Sequence, residues 1–450
     1  MQRRIMNKLI AKLRHTLVDD WYIEGDPTSR DRVRLLKCMY TSNTIRALFN
    51  GTFWTGMLLC LNADDAFIGT IGMIGSAAGM LQVLGPIFLE HFAKRKKMLI
   101  IMRAFLWLFN VVFIGVIPLF PVSHQTMLTL TAMGVVIVNV LSTCVNPGVA
   151  VWHTQSVPQK VRGGFYSLFT MTNGALVALI TFLAGLLVDR FDSMGMQYYG
   201  LLILRGIAAV LCVFELYMYT KIPEYPYSEN PGAAFRLRDM IPKAIKEKRY
   251  LLTIVVGMMW SLIAGIPGGY YSVYLLSDLK LSYSFISVIG AFNVPIVLLC
   301  TPVWKKLLKR FSWFKTLAVA IAAESFIYVM LALVTTGTAA WMYPASQILS
   351  FFFGIGVSLP LTGIPYVNIP KENQTIYYGA YQTACNLATF VSAAIGKYFV
   401  LWVGDRSVTA LGLTMGGKQL VVLLTGILLL FGALAVTRIR ARMLRMNADT

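Results

Sequence analysis

Long apolar runs separated by short charged turns recur along the whole chain. Met98–Phe120, Leu176–Val188 with its flanks, Leu251–Ile263, Trp341–Leu361 and Leu420–Val436 are clear examples. A hydrocarbon core of about 30 Å takes about 20 apolar residues as helix, and several runs meet that length unaided. They are continuous rather than alternating, which excludes a β-barrel. The pattern predicts spans at 39–61, 67–92, 98–120, 126–150, 165–188 and 198–220, then at 251–276, 284–304, 313–336, 340–362, 376–402 and 417–438. The fold class is therefore an all-α membrane protein with about twelve transmembrane helices.

Residues 221–250 divide the spans into two sets of six. This segment carries Pro223, Pro226 and Pro231, then Arg236, Arg238, Lys243, Lys246, Lys248 and Arg249, and reads as a solvated linker. The expected organisation is an N-terminal segment 1–38, a six-helix bundle 39–220, the linker 221–250, a second six-helix bundle 251–438 and a tail 439–450. In the first twenty residues, Ile5, Met6, Leu9, Ile10, Leu13 and Leu17 recur at helical spacing among basic residues. That reads either as an amphipathic helix on the membrane surface or as a frayed basic tail. It lacks the continuous apolar core of a cleavable signal peptide.

Charge fixes the expected orientation. One set of loops holds Lys94, Arg95, Lys96, Lys97, Lys160, Arg162, the linker cluster, Lys305, Lys306, Lys309, Arg310 and Lys315, and both termini belong with it. The alternate loops are short and hold Asp64, Asp65, Asp189, Asp192, Asp278 and Asp405. The positive-inside rule then places both termini in the cytoplasm of a multi-pass protein of the cell membrane. The net charge of +20 follows this periodic pattern, so membrane topology accounts for it and nucleic acid is not expected as a partner. The six cysteines lie in or beside apolar runs without CxxC spacing and read as small buried hydrophobes.

The halves echo each other. Val157-Pro158-Gln159-Lys160 leads into Gly163 to Ser167 in the first, and Ile369-Pro370-Lys371-Glu372 leads into Thr375 to Gly379 in the second. Both elements lie between the fourth and fifth spans of their half. Two similar six-span halves around a central site is a recognised transporter architecture.

With its loop from Gly85 to Lys96, the chain resembles the major facilitator superfamily, bacterial type. The family's loop between the second and third helices has the form Gly, spacer, Asp-Arg, any, Gly-Arg-Arg/Lys. Here Glu90 stands for Asp, His91 for Arg and Ala93 for Gly, and the basic cluster Lys94, Arg95, Lys96 is kept. Val157-Pro158 with Arg162-Gly163 is similar to the family's Pro…Arg-Gly element before the fifth helix. The resemblance implies two pseudo-symmetric six-helix bundles and a gating role for Glu90 with Lys94, Arg95 and Arg162. A solvated turn obeying the positive-inside rule is the plainer reading of the same loop.

The resemblance also implies that the first, fourth, seventh and tenth helices line a central cavity. On the first, Asn43, Arg46, Asn50 and Trp54 form one stripe. Arg46 sits inside an apolar run, where a permanent cation faces a wet cavity or snorkels to the interface. Asn139, Ser142, Thr143 and Asn146 share a face of the fourth helix. On the seventh, Trp260 and Ser261 precede a Gly-Pro cluster from Gly265 to Gly269, then Tyr270, Tyr271 and Tyr274. That cluster is expected to break the helix. Tyr343, Gln347, Ser350, Gly354 and Ser358 follow on the tenth, and Tyr378, Gln382 and Asn386 on the eleventh. From these stripes, the expected substrate contacts are Asn43, Arg46, Asn50, Trp54, Asn139, Thr143, Asn146, Trp260, Tyr270, Tyr274, Gln347, Gln382 and Asn386. Such polar stripes also serve as glue between helices.

Arg103, Arg205, Glu215, Glu324 and Lys397 lie in the expected peripheral or eleventh spans. Local ion pairs or snorkelling are expected of them, with Glu324 a candidate proton site. The four histidines lack metal-ligand spacing, and no phosphate loop or nucleophile elbow is present. The expected activity is therefore secondary transport of a small, anionic or acceptor-rich organic solute by a monomer, without cofactor, metal or catalysis. The alternative is a non-transporting membrane receptor or scaffold of the same fold.

Overall fold

The computed structural model describes residues 21–448 except 24, 82–84, 86–87, 90–91, 93, 225–246, 370–373, 405 and 411–412. The first twenty residues, Glu90 and most of the expected linker lie outside the described residues. The helices are α1 (Pro27–Phe49), α2 (Thr52–Cys60), α3 (Asp65–Leu81), α4 (Lys96–Leu119), α5 (His124–Ser156), α6 (Gln159–Asp192) and α7 (Gln197–Lys221). They continue as α8 (Lys248–Asp278), α9 (Tyr283–Arg310), α10 (Trp313–Ala332), α11 (Ala339–Asn368), α12 (Gln374–Val403) and α13 (Gly417–Ala448). A small antiparallel hairpin, β1 (Val408–Ala410) with β2 (Leu413–Met415), precedes α13. Ten of the described helices are long and apolar enough to cross a membrane. With α3, and with α1 and α2 sharing the first expected span, they make the expected twelve.

Two helices break where backbone chemistry permits. The first span stops at Phe49, and Gly51 takes a left-handed φ of +62° before α2 resumes. An L side chain rarely adopts that conformation, and glycine does so without steric cost. In α8 the helix stops at Ala264 and restarts at Gly268, within the Gly-Pro cluster as expected. The start of α1 lies well before its apolar run. Asp26 caps it by accepting from the Thr28 and Ser29 amides at 3.0 and 3.1 Å, and Pro27 suits the first helical position.

The chain forms two compact units. The N-terminal unit holds α1 and α4 to α7, and its centre is ionic. The Arg103 guanidinium of α4 donates to both carboxylate oxygens of Glu215 on α7, at 3.1 and 2.6 Å. It also donates to the Ser42 hydroxyl of α1 at 2.6 Å, and Trp107 donates to Glu215 Oε2 at 2.6 Å. Arg103 and Glu215 are essentially sealed from solvent. The rings of Trp107 and Tyr219 lie 5.1 and 5.3 Å from the guanidinium carbon, close enough for cation–π attraction. A charge in hydrocarbon is costly unless paired, and here each partner satisfies the other. The expected local ion pair is thus found.

Arg205 solves its burial differently. In α4, residues Leu108–Phe113 form a π-helical turn. Such a turn disturbs the usual ladder of backbone hydrogen bonds. Arg205 donates to the Asn110 carbonyl at 2.6 Å and lies 5.8 Å over the Phe49 and Trp54 rings. Among the described residues it pairs with no acid, and it turns instead to this carbonyl.

The C-terminal unit holds α3, α8 to α13 and most of α2. Its core gathers Leu317, Ala320, Ile321, Val357, Leu429 and Val436 around Trp304. The second expected span, α3, packs on α8 and α12 within this unit. Tyr270 donates to the Asp65 carbonyl at 2.8 Å, Lys397 to Thr70 Oγ1 at 2.8 Å, and Asn386 to the Gly79 carbonyl at 2.7 Å. Lys418 Nζ lies 3.4 Å from Asp65 and 3.9 Å from Asp278.

Two predictions follow from these interactions. Glu215→Ala strands a buried guanidinium and should cost about 3–5 kcal/mol, read as a fall in the unfolding midpoint in detergent. Replacing both members, Arg103→Met with Glu215→Leu, should recover most of that loss; equal damage from single and double variants would contradict the pairing. The second concerns Asp26, which the hydroxyls of Thr28 and then Ser29 hold down to about 2. Its unfolded value is near 3.9, so the cap contributes fully above about 4 and is lost as pH falls toward about 2. Protection factors at the Thr28 and Ser29 amides, which are corrected for intrinsic exchange at each pH, should fall through that window in the wild type and stay flat in Asp26→Asn. Unchanged wild-type protection would remove Asp26 from the cap.

Candidate functional site

A cavity of about 320 Å³ opens within the N-terminal unit, against α1, α4, α5 and α6. Asn43 and Arg46 project from α1, Arg103 from α4, and Asn146 and His153 from α5; Met39, Val149 and Phe169 form apolar wall. α1 is fixed at this depth by Ser42 on the ion pair and by Asn43, whose amide donates to Asn173 Oδ1 of α6 at 3.0 Å. Tyr40 adds a hydroxyl contact with Thr172.

The electrostatics of this cavity are asymmetric. Arg103 is neutralised by Glu215. Arg46, one turn beyond Ser42, is half-buried on the cavity wall. Among the described residues its guanidinium has no ion pair and no hydrogen bond to an acceptor. No carboxylate lines the cavity among the described residues. Among them Arg46 is therefore a lining cation without a direct counter-ion, flanked by the amides of Asn43 and Asn146.

His153 belongs to the same wall. Its Nε2 lies 2.8 Å from the Tyr219 hydroxyl, and the two rings stack at 5.9 Å. Sequence reasoning passed over it as one of four scattered histidines. Its signal was the spacing from Asn146, two helical turns away on one face. The expected fourth span ended at residue 150, whereas α5 continues through Pro147 to Ser156.

The remaining expected contacts are distributed. Asn50 is exposed at the end of α1, and Trp54 lies beneath Arg205. Asn139 donates to the Val135 carbonyl at 2.8 Å and Thr143 to that of Val140 at 2.7 Å, both on their own helix. In the C-terminal unit, Trp260 packs against the apolar core and Tyr270 reaches Asp65. Tyr274 donates to the Val334 carbonyl at 2.8 Å. Gln347 donates to the Tyr271 hydroxyl at 2.8 Å, and Gln382 to that of Tyr378 at 2.7 Å. Asn386 holds Gly79. Glu324 is 3% exposed, and its oxygens accept from the Ser350 hydroxyl at 3.2 and 3.1 Å.

Of the expected gating residues, Glu90 lies outside the described residues and Lys94 is exposed. Arg95 donates from Nε to the Phe92 carbonyl at 3.0 Å, and its amide donates to Glu224 at 2.6 Å. Glu224 also accepts from the Lys96 amide at 3.0 Å, a carboxylate at the positive end of α4 that the sequence did not reveal. Arg162 donates to the Thr154 and Val157 carbonyls at 2.9 and 3.1 Å and so closes the end of α5.

A search of curated proteins returns no match. Solved structures do match in fold. A point mutant of the nucleoside transporter NupG is 13% identical with a TM-score of 0.70, over 91% of this chain and 99% of that one. A bacterial homologue of the iron transporter ferroportin, inward-facing, is 13% identical with a TM-score of 0.68, over 91% and 98%. The xylose transporter XylE from E. coli is 14% identical with a TM-score of 0.61, over 91% and 95%. At such identities the likeness concerns fold. The sequence itself matches the family described as Major Facilitator Superfamily over residues 39–393. This multi-pass membrane protein therefore belongs to the major facilitator superfamily of transporters.

Proposed function

We propose that this transporter carries a small organic anion by alternating access, with the carboxylate or equivalent group held by Arg46. The observation that carries the reading is the Arg46 guanidinium on the cavity wall without a protein acceptor among the described residues. A guanidinium stays charged at physiological pH, so water or a ligand must answer it. Arg103 does not add to the field, because Glu215 already neutralises it. A single uncompensated charge suits one anionic group better than a doubly charged phosphate monoester. The cavity volume lies at the low end for small-molecule sites. Asn43 and Asn146 supply polar contacts, and Phe169 with Met39 faces the apolar part of the solute.

Two further elements of this reading come from the sequence pattern. The termini lie in the cytoplasm, as the basic loops require. Glu90 acts with the neighbouring basic cluster to close the cytoplasmic side, as the family loop implies.

Transport by reconstituted protein tests the reading. Vesicles should accumulate a labelled monocarboxylate and exclude its neutral amide. Losing a charged hydrogen bond costs about 1.5–3 kcal/mol, so Arg46→Ala should weaken binding by roughly tenfold or more. Arg46→Lys should restore little if the contact is two-pronged. Normal uptake by Arg46→Ala, or equal uptake of acid and amide, would end the proposal.

A further inference from the structure

A second cavity, of about 170 Å³, lies in the C-terminal unit. It opens between the starts of α8 and α10 and the ends of α11 and α13. These are the helix ends that carry the basic residues. Its polar wall holds Arg249, Arg440 and Ser312, and its apolar wall includes Trp313, Val367 and Leu444.

The two arginines set the chemistry. Arg440 Nε is buried and has no hydrogen-bond partner among the described residues. Buried charged donors are almost always satisfied. Among the described residues neither Arg249 nor Arg440 forms an ion pair, and no carboxylate lines the cavity. Glu247, two residues before Arg249, is exposed and pairs with neither. Ser312 Oγ accepts from the Lys315 amide at 3.3 Å as the cap of α10, which leaves its hydroxyl proton free to donate outward. Lys315 and Arg310 stand over the Phe311 ring at 4.6 and 5.7 Å, adding positive charge beside the opening.

The apolar wall narrows the ligand class. Val367 and Leu444 are 57% and 56% exposed, so the cavity runs out onto an apolar surface. A charged end in a basic pocket with an apolar surface leading from it matches an anion that carries a hydrocarbon chain. Basic pockets between the ends of membrane helices suit phosphate-bearing headgroups, and guanidinium groups grip phosphate oxygens in pairs. We propose that this cavity binds a phosphate ester through Arg249 and Arg440. The site is separate from the Arg46 cavity and does not depend on the anion-transport reading.

Fluorescence quenching of the full chain in detergent tests the site. The Trp313 signal is the difference between wild type and Trp313→Phe. Brominated phosphatidylglycerol should quench it at a concentration roughly tenfold below that of brominated phosphatidylcholine. Arg249→Gln, a change at an exposed side chain that leaves folding intact, should remove most of that preference, and Arg249→Gln with Arg440→Gln should abolish it. If millimolar inorganic phosphate displaces the brominated lipid, the site is one for soluble phosphate esters. If it does not displace and the lipid preference holds, the ligand is a phospholipid headgroup. Equal quenching by both lipids, or a preference that survives in Arg249→Gln and the double variant alike, overturns the proposal.

Discussion

In hydrocarbon, a guanidinium and a carboxylate each need the other, and Arg103 with Glu215 is that dependence made structural. The pair joins α4 to α7, and the spare guanidinium donor takes Ser42 and so brings in α1. Asn43 and Arg46 follow Ser42 on the same helix, so the pair that ties the helices also sets where the cavity residues stand. Glu215 pairs with Arg103, and among the described residues Arg46 has no ion pair. Structural pairing and the placement of the cavity-lining residues thus meet on one interaction.

The C-terminal unit is organised on other terms. Its core is apolar around Trp304, and several of its polar groups are engaged in pairs between helices: Tyr271 with Gln347, Ser350 with Glu324, and Lys418 between Asp65 and Asp278. Glu324 has a hydroxyl donor where Glu215 has a cation and an indole. Glu324 therefore lacks the counter-ion that Glu215 has among the described residues. The two carboxylates read alike in sequence, each an acid in an apolar run. Their partners make them different chemical objects.

Much of the fold was legible because hydropathy and helix length are tied to bilayer thickness. The spans and the break at Gly265 to Gly269 came directly from the residues. Other features depended on partners distant in sequence. Nothing near Arg103 announces Glu215, and nothing near Gly79 announces Asn386. Asn139 and Thr143 looked available on a polar stripe but bond their own helix, a habit of short polar side chains in apolar helices. His153 was missed because the expected span ended at residue 150, while the helix continues to Ser156. The break at Gly51 was hidden for a similar reason, since Asn50 fitted the stripe that continues to Trp54. Arg46 was legible because a permanent cation in an apolar run has few ways to be satisfied.

The sequence separation within the central ion pair bears on how the protein is made. Arg103 and Glu215 lie 112 residues apart. At about 5–20 residues per second, ribosomes need roughly 6–22 s to reach Glu215 after Arg103. During that interval α4 has its arginine but not its counter-ion, and an unpaired arginine in a span costs free energy on insertion, up to about 2.5–3.5 kcal/mol at a helix centre. The nascent helix must meanwhile sit displaced toward the interface or shelter beside the insertion machinery, with α1 and its Ser42 as the first polar partner already synthesised. Final seating of α4 waits on the emergence of α7. Within the N-terminal unit, the ionic partner of α4 thus becomes available only once α7 has been made.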